Sequence, residues 1–550
     1  PMKTGLPLVS LSLLAMPAAA QGWTIQPLVL EGDAVPGVGD VSSIQNIAIN
    51  NGMDWRVEAD TNHPDTDQDY VLLSAAGLEA REGQALAAPA GALLDTFDSL
   101  TLDINGNSAV NYFLDGTSGF SDDSGVYWNG NLLIQEGDLS GAAGLSANTP
   151  YTGFFETKLA DNGDILLMAT VDDPAISSSA DRALVRLTTD ALGNLATETV
   201  ILKESDILPG TTGQISDFGT SPHQFDMNDA GSILFYADTD LALGSDGFIV
   251  LDSTILAQEG GLSPIAGRPW SSLSGPEVTL NNNGEYAYTG SLQGDSTSNL
   301  LIVKNGAKFR QEGDPVPGIP GFTFTSFGTG PLDLADNGDL LWYGDWNDPA
   351  TDFDTGLFVN DELIVQEGVT TVGGVVIDTL RGVQDGAFLS DDGRFVIFEA
   401  VLNDSTDGAF LATRDGGIVS VPGCSSDGSF LSHFAGEPDI GTTLWLTFGS
   451  TEIGSGLRYL AISGTSIADS SGCGLFLPGL GEFLIGFLPP DPFVLPMGVY
   501  TGINENLPLP IPADPFYVGL TLHLQGFYLY TGGPPNEVDL TNALEVTFGA

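Results

Sequence analysis

Positive charge is what this chain most conspicuously lacks. Its 550 residues hold only 15 Lys and Arg against 72 Asp and Glu, a formal net charge of −57. Gripping a nucleic-acid backbone or an anionic membrane requires Lys and Arg at the phosphates, so both partners are excluded. Cysteine is nearly absent, with two residues, and there are four His, at 63, 223, 433 and 523. No G-x-S-x-G elbow, H-E-x-x-H pair, phosphate-binding glycine loop or Cys/His metal cluster occurs. Beyond the amino end, no apolar run is long enough to span a bilayer, which takes about 20 residues. What is present points the other way. A hydrophobic share of 42% is ample for a core, and 71 Gly with 32 Pro disfavour helices. The composition predicts a folded, acidic, β-rich protein.

Lys3, a short apolar run from Leu6 to Met16 and then Ala18-Ala19-Ala20 read as a secretory signal peptide over residues 1–20. The expected location is therefore extracellular or cell-surface associated, with no membrane insertion.

Two markers then recur in step. One is an acidic Glu-Gly step at the end of an apolar run, with its glutamate at Glu31, Glu82, Glu136, Glu204, Glu259, Glu312 and Glu367. The other, midway between, is an Asn- or Asp-rich turn closing on Gly52, Gly106, Gly163, Gly231, Gly284, Gly338 and Gly393. Units of this size imply a repeat architecture. In the sixth unit, Leu332–Leu334, Leu340–Tyr343, Leu357–Val359 and Leu363–Val365 read as four strands. The turn at Asn337-Gly338 suits the positive φ of a tight hairpin. Seven four-stranded meanders predict a seven-bladed β-propeller over residues 23–421. Its closure stays open: Trp23 to Leu30 is a fourth strand with no blade before it, while Ile418 to Val421 offers the last blade a fourth strand of its own.

A meander sends the loop after strand two and the connection between blades to one face, so the Glu-Gly steps and the acidic loops collect there. Loops on a rigid scaffold are where function concentrates. Asp65 and Asp67, flanked by Asp60 and Asp69, place carboxylates at alternate positions and offer oxygen ligands suited to Ca²⁺, although the EF-hand pattern is not met. The competing reading is a solvated acidic surface. The glutamates of the Glu-Gly steps are expected to accept backbone N–H groups at the blade junctions. His63 and His223 are the candidates for a catalytic base, both expected on the loop-rich face.

From residue 422 the pattern changes to irregular strands with Pro-rich punctuation, which predicts a small β-sandwich over 422–550. Strands are expected at Leu444–Phe448, Leu457–Ile462, Phe483–Phe487, Tyr517–Tyr530 and Leu544–Phe548. Cys424 and Cys473 both lie here, and in a secreted protein the pair reads as a disulfide, with two free thiols the alternative.

Pro422-Gly423-Cys424, Gly436-Glu437-Pro438, Gly472-Cys473, Leu509-Pro510-Ile511-Pro512 and Thr541-Asn542-Ala543-Leu544 together resemble a carboxyl-terminal domain common in extracellular bacterial proteins. The repeat, clearest over 311–339, resembles that of uncharacterised secreted bacterial tandem-repeat proteins. The resemblance implies secretion and the two-part architecture. It implies no reaction and no catalytic residue. The expected function is a secreted binding or adhesion scaffold whose loop-rich face engages a glycan or cation-bridged polymer. An extracellular hydrolase or lyase with its site at the top of the channel is the alternative, and a structural matrix component is a third. Oligomeric state is not set by the sequence.

Overall fold

The computed structural model describes residues 22–176, 181–219, 223–273, 277–414, 417–421, 429–435, 438, 442–450, 456–464, 475–477, 481–485, 493–500, 505–512, 520–530 and 538–549. The signal-peptide segment 1–20, Cys424 and Cys473 lie outside these residues. The described chain is all β apart from one short 3-10 turn, Gln384–Gly386. No helix among the described residues is long and apolar enough to cross a membrane.

Seven antiparallel sheets follow one another through the repeat region, each in meander order. In the first blade the order is Gly39–Ile49, Trp55–Thr61, Tyr70–Ser74 and Gly77–Arg81, with a short Ala34–Val35 on the innermost edge. Apolar residues of adjacent sheets pack face to face, and seven buried clusters separate the seven sheets. One, for example, joins Phe395, Ile397 and Leu411 of the last blade to Val41, Ile44 and Val57 of the first. Last blade packing on first is what makes the stack a ring.

Closure is settled by strand pairing. Trp23–Leu30 runs antiparallel to Asp407–Arg414, from Trp23 opposite Arg414 to Leu30 opposite Gly408, and so forms the outer strand of the seventh blade. Trp23 is 5% exposed within the cluster between blades six and seven, with the Arg414 guanidinium 5.0 Å from its ring centroid. The segment Gly417–Val421 pairs instead with Val538–Thr547, in the carboxyl-terminal sheet.

The Asn/Asp-Gly turns perform a second closure. Asn50 Nδ2 donates to Asp103 O, Ile104 N to Asp161 Oδ1, and Asp161 N to Asp229 Oδ1. Asn228 Nδ2 donates to Asn281 O, Asn281 Nδ2 to Ala335 O, Asp336 N to Asp391 O, and Asp392 N to Asn51 Oδ1. These bonds, 2.5–3.1 Å long, step from each blade to the next and return to the first. The closing Gly has φ between +74° and +85° in blades two to seven, whereas in blade one Met53 takes the left-handed conformation at +61°. This is the physical content of the divergent first repeat.

Two strand expectations need correction. The innermost strand of blade six is split, with Phe324–Ser326 and Leu332–Leu334 both pairing Leu340–Trp346. That middle strand continues past Tyr343 because Trp346 is buried at 1% exposure opposite Phe324. In the carboxyl-terminal part, a five-stranded and a three-stranded sheet enclose one core of Leu444, Leu446, Phe448, Leu460, Tyr528 and Val546. Strands expected at Leu444–Phe448, Leu457–Ile462 and Leu544–Phe548 are present, and the one expected at Tyr517–Tyr530 is seen as Thr521–Tyr530. The one expected at Phe483–Phe487 meets a strand only at Phe483, in Gly481–Phe483, with residues 486–487 outside those described. Phe493–Tyr500 and Glu505–Pro510 are additional. The last of these was read as Pro-rich punctuation. It is an edge strand, where Pro is tolerated, with Leu507 and Leu509 turned inward and Pro508 and Pro510 exposed.

Candidate functional site

The inner strands bring an unusual set of side chains to the ring's axis. Lys158, on Tyr151–Leu159 of blade three, contacts His223 Nδ1, and His223 Nε2 lies 2.7 Å from Asp385 Oδ1. An ammonium can only donate, so Nδ1 accepts and Nε2–H donates to the carboxylate. The chain Lys158, His223, Asp385 thus crosses from blade three through blade four to blade seven. His223 is 7% exposed and has φ +58°, a left-handed conformation that a non-glycine residue adopts only where its surroundings hold it. The Phe388 ring packs 5.5 Å from its imidazole.

Charge tuning follows this geometry. Burial works against the Lys158 ammonium, but Glu156, Asp226, Asp385 and Asp333 outweigh it and hold its pKa above the ordinary value. Burial likewise tends to raise Asp385, yet the His223 hydrogen bond and the nearby Lys158 charge leave it below the ordinary range. Asp98 goes the other way. Burial lifts it to about 6; Asn111 Nδ2, 3.0 Å away, pulls it down, while Glu156 and Asp385 push it up. Two carboxyls of one cavity are thereby held apart in ionisation.

That cavity, about 200 Å³, is lined by Asn46, Asp98, Phe155, Glu156, His223 and Asp385 among others. A second cavity of about 160 Å³ continues from His223 toward the Asn/Asp-Gly turns, past Asp226 and Asp333. Because the first is lined by earlier residues of the inner strands, it is the one toward the loop-rich face. Phe155, 36% exposed, presents an aromatic ring there, with Arg182 5.4 Å from its centroid.

The other expected site residues lie elsewhere. His63 Nδ1 accepts from Asp65 N at 3.2 Å and lies 3.0 Å from Asp65 O, so its contacts remain in its own loop and it lines none of these cavities. The structure does not bring His63 and His223 together. Asp60 sits in the Trp55–Thr61 ladder, Asp65 accepts Gln68 Nε2 at 2.7 Å, Asp67 is exposed, and Asp69 adjoins Glu82. Among the described residues, no three His, Cys, Asp or Glu side chains are grouped so as to hold a metal ion.

The Glu-Gly glutamates do accept backbone N–H groups, mostly within a blade. Glu82 takes Asp69 N and Tyr70 N at 2.9 and 3.1 Å, Glu204 takes Arg182 N, and Glu312 takes Asn299 N, each at the start of strand three. Glu259 reaches Leu273 N of the next blade. Burial raises Glu82, Glu136 and Glu204 to about 7, aided in the first two by the neighbouring Asp69 and Asp123.

Sequence reasoning passed over Lys158, Asp98, Phe155 and Asp385. A usable signal existed for the first: one lysine inside an apolar inner strand of a chain with so few cations.

The fold is that of an all-β, ring-closed propeller followed by a two-sheet module, with a polar axis. Residues 18–248, through part of the fourth blade, match the model of a family of unknown function, DUF7453. No curated protein matches the chain. Among solved structures, PorZ, a surface component of the type-IX secretion system of Porphyromonas gingivalis, is 13% identical, over 92% of this chain and 52% of that one, at TM-score 0.24. This chain therefore spans about half of PorZ. Trypanosoma rangeli sialidase is 12% identical over 96% and 97% of the two chains, at TM-score 0.30. An α-L-arabinofuranosidase of Fusarium graminearum is 9% identical over 72% and 98%, also at 0.30. Likeness at these scores carries no inference, and the fold rests on the pairing described above.

Proposed function

We propose that the chain is an extracellular binding protein that takes a glycan at the loop-rich mouth of the propeller channel, with the carboxyl-terminal sandwich as an accessory or surface-association module. One observation supports this reading above others: the mouth cavity sets the Phe155 ring beside Asp98, Glu156 and Asp385. A flat ring offers a stacking surface to the C–H face of a sugar, and fixed carboxylates accept its hydroxyl hydrogens. A glycan array followed by calorimetry tests it. Phe155→Ala and Asp98→Asn should each weaken the best ligand by about tenfold or more, on the order of 1.4 kcal/mol. Unaltered binding in both variants, or no glycan bound at all, would sink the idea. In its cation-bridged form, Ca²⁺ would join the exposed loop carboxylates to an acidic polymer, and EDTA should then release the polymer.

A second reading, glycoside hydrolysis, is favoured by the ionisation split in the same cavity. An acid held near pH 6 beside a carboxylate held low is the division of labour such chemistry uses. Asp98 would protonate the leaving oxygen and Asp385 would act as nucleophile or base. Aryl glycosides test this, since turnover should vanish in Asp98→Asn; absence of turnover across a substrate panel rules it out.

A further inference from the structure

Polar side chains facing the second axial cavity tie one blade to the next. Asp226 Oδ2 accepts Leu280 N at 2.7 Å, and Asp333 Oδ2 accepts Leu389 N at 2.8 Å. Thr279 Oγ1 does the same for Leu334 N at 3.1 Å. Each ties its blade to the next. Glu277, beside them, is 2% exposed; its carboxyl takes a backbone hydrogen bond from Leu332, but its Oε2 has no hydrogen-bond partner. That oxygen lies against Gly330, where any side chain would collide with it. Glu277 also lines a separate cavity of about 150 Å³ between blades five and six, walled by Thr289, Ser291, Phe327 and Tyr343 and reaching the exposed Gly328 and Thr329. None of its lining residues belongs to the channel mouth.

We propose that this cavity binds an organic primary ammonium group, with Glu277 as its counter-ion. A buried carboxyl oxygen without a donor is costly unless a ligand supplies one. The hydroxyls of Thr289 and Ser291 can accept the remaining N–H groups, and Phe327 and Tyr343 supply aromatic wall beside the carboxyl. A chain of net charge −57 draws cations inward. A bare metal ion fits poorly, since no cluster of three acidic or His ligands is present among the described residues. Burial keeps Glu277 well above the ordinary carboxyl range, and an ammonium beside it favours the ionised form. On binding, the carboxyl loses its proton to buffer as the ammonium takes its place, giving up to one proton released per ligand. The ammonium could belong to a free amino sugar or to an aliphatic polyamine.

Calorimetry of the full chain at pH 6 to 8, in two buffers of different ionisation enthalpy, distinguishes these. The probes are glucosamine oligomers, N-acetylglucosamine oligomers and putrescine. The expected result is binding of one amine class with proton release, tighter at higher pH, no binding by the acetylated oligomers, and at least tenfold loss in Glu277→Gln. Thr329→Trp, at the exposed rim, should block entry without altering the carboxyl and serves if the first variant fails to fold. The proposal is overturned if no amine binds, if the acetylated oligomers bind equally, or if both variants bind as the parent does. Phe155→Ala should leave amine binding intact, so failure of the channel-mouth reading and failure of this one give different results.

Discussion

Replacing Glu58 with Gln should stabilise this protein increasingly as pH rises from about 4.5 to about 8. Glu58 lies on Trp55–Thr61, the second strand of blade one, opposite Asn46 and Leu72. It is 2% exposed and accepts Asn46 Nδ2 at 2.5 Å. Burial raises its pKa from the ordinary 4.5 to about 8; the Asn46 bond opposes the rise and Asp98 adds to it. The folded chain therefore keeps a proton that the unfolded chain gives up. Fewer protons on the unfolded state mean that stability falls as pH rises through this window. Glu58's stabilisation is intact below about pH 4.5 and lost above about pH 8. At about 1.4 kcal/mol per pH unit, the difference between the two ends is on the order of 4–5 kcal/mol. Gln keeps an oxygen for Asn46 and cannot ionise. Urea unfolding followed by tryptophan fluorescence should show parent and Glu58→Gln close together at pH 4.5, with the variant's midpoint clearly higher at pH 8.5. A difference of the same size at both pH values would refute the reasoning. Glu399, also 2% exposed and raised by burial to about 8 against the pull of Arg381, should behave likewise in Glu399→Gln.

Three further outcomes are expected. Trp23→Ala removes the anchor of the closing strand and should cost about 3–5 kcal/mol, the usual loss for a buried aromatic; an unchanged melting temperature would contradict closure by this strand. Lys158→Met strips the counter-ion from Glu156, Asp226, Asp333 and Asp385, which should cost about 3–5 kcal/mol at neutral pH. That loss should shrink near pH 5, below the value of about 6 to which burial raises Asp226, and a loss independent of pH counts against the buried-cation role. Stability should rise from low to seawater-like salt, since screening already shortens repulsion among exposed carboxylates to about 8–10 Å at ordinary ionic strength; a flat or falling curve disproves this.

The repeats were legible because both markers mark places where backbone geometry dictates residue type. A turn at φ near +80° requires Gly, and a carboxylate is needed where strand three leaves N–H groups without a partner. Ring closure was not legible. Trp23–Leu30 and Asp407–Arg414 sit at opposite ends of the repeats, and the pairing of a half-exposed outer strand with one buried on both faces leaves no local pattern. The split inner strand of blade six was missed for a similar reason: the segment around Gly328 and Pro331 reads as a loop, although it only interrupts one pairing partner of Leu340–Trp346. The polar axis was hidden more thoroughly. Lys158, Asp98 and Asp385 lie in three blades and share no motif, so only folding makes them neighbours.

These two outcomes give the acidity of the chain a physical basis. Many of its carboxylates act as hydrogen-bond acceptors for backbone N–H groups that a meander leaves open. Asp161 and Asp229 do this at the turns, Glu82 and Glu312 at strand three, and Asp226 and Asp333 along the axis. Exposed acids such as Asp190, Asp295 and Asp404 are held below the ordinary range by groups of their own loops, so they too are engaged within the fold. An abundant acidic residue is therefore weak evidence of a ligand here, however suggestive its spacing. Departures from the pattern carry the functional information: a lysine where the axis is otherwise acidic, a carboxyl oxygen with no donor between blades five and six, and a partly exposed aromatic ring at the mouth. Each faces a cavity.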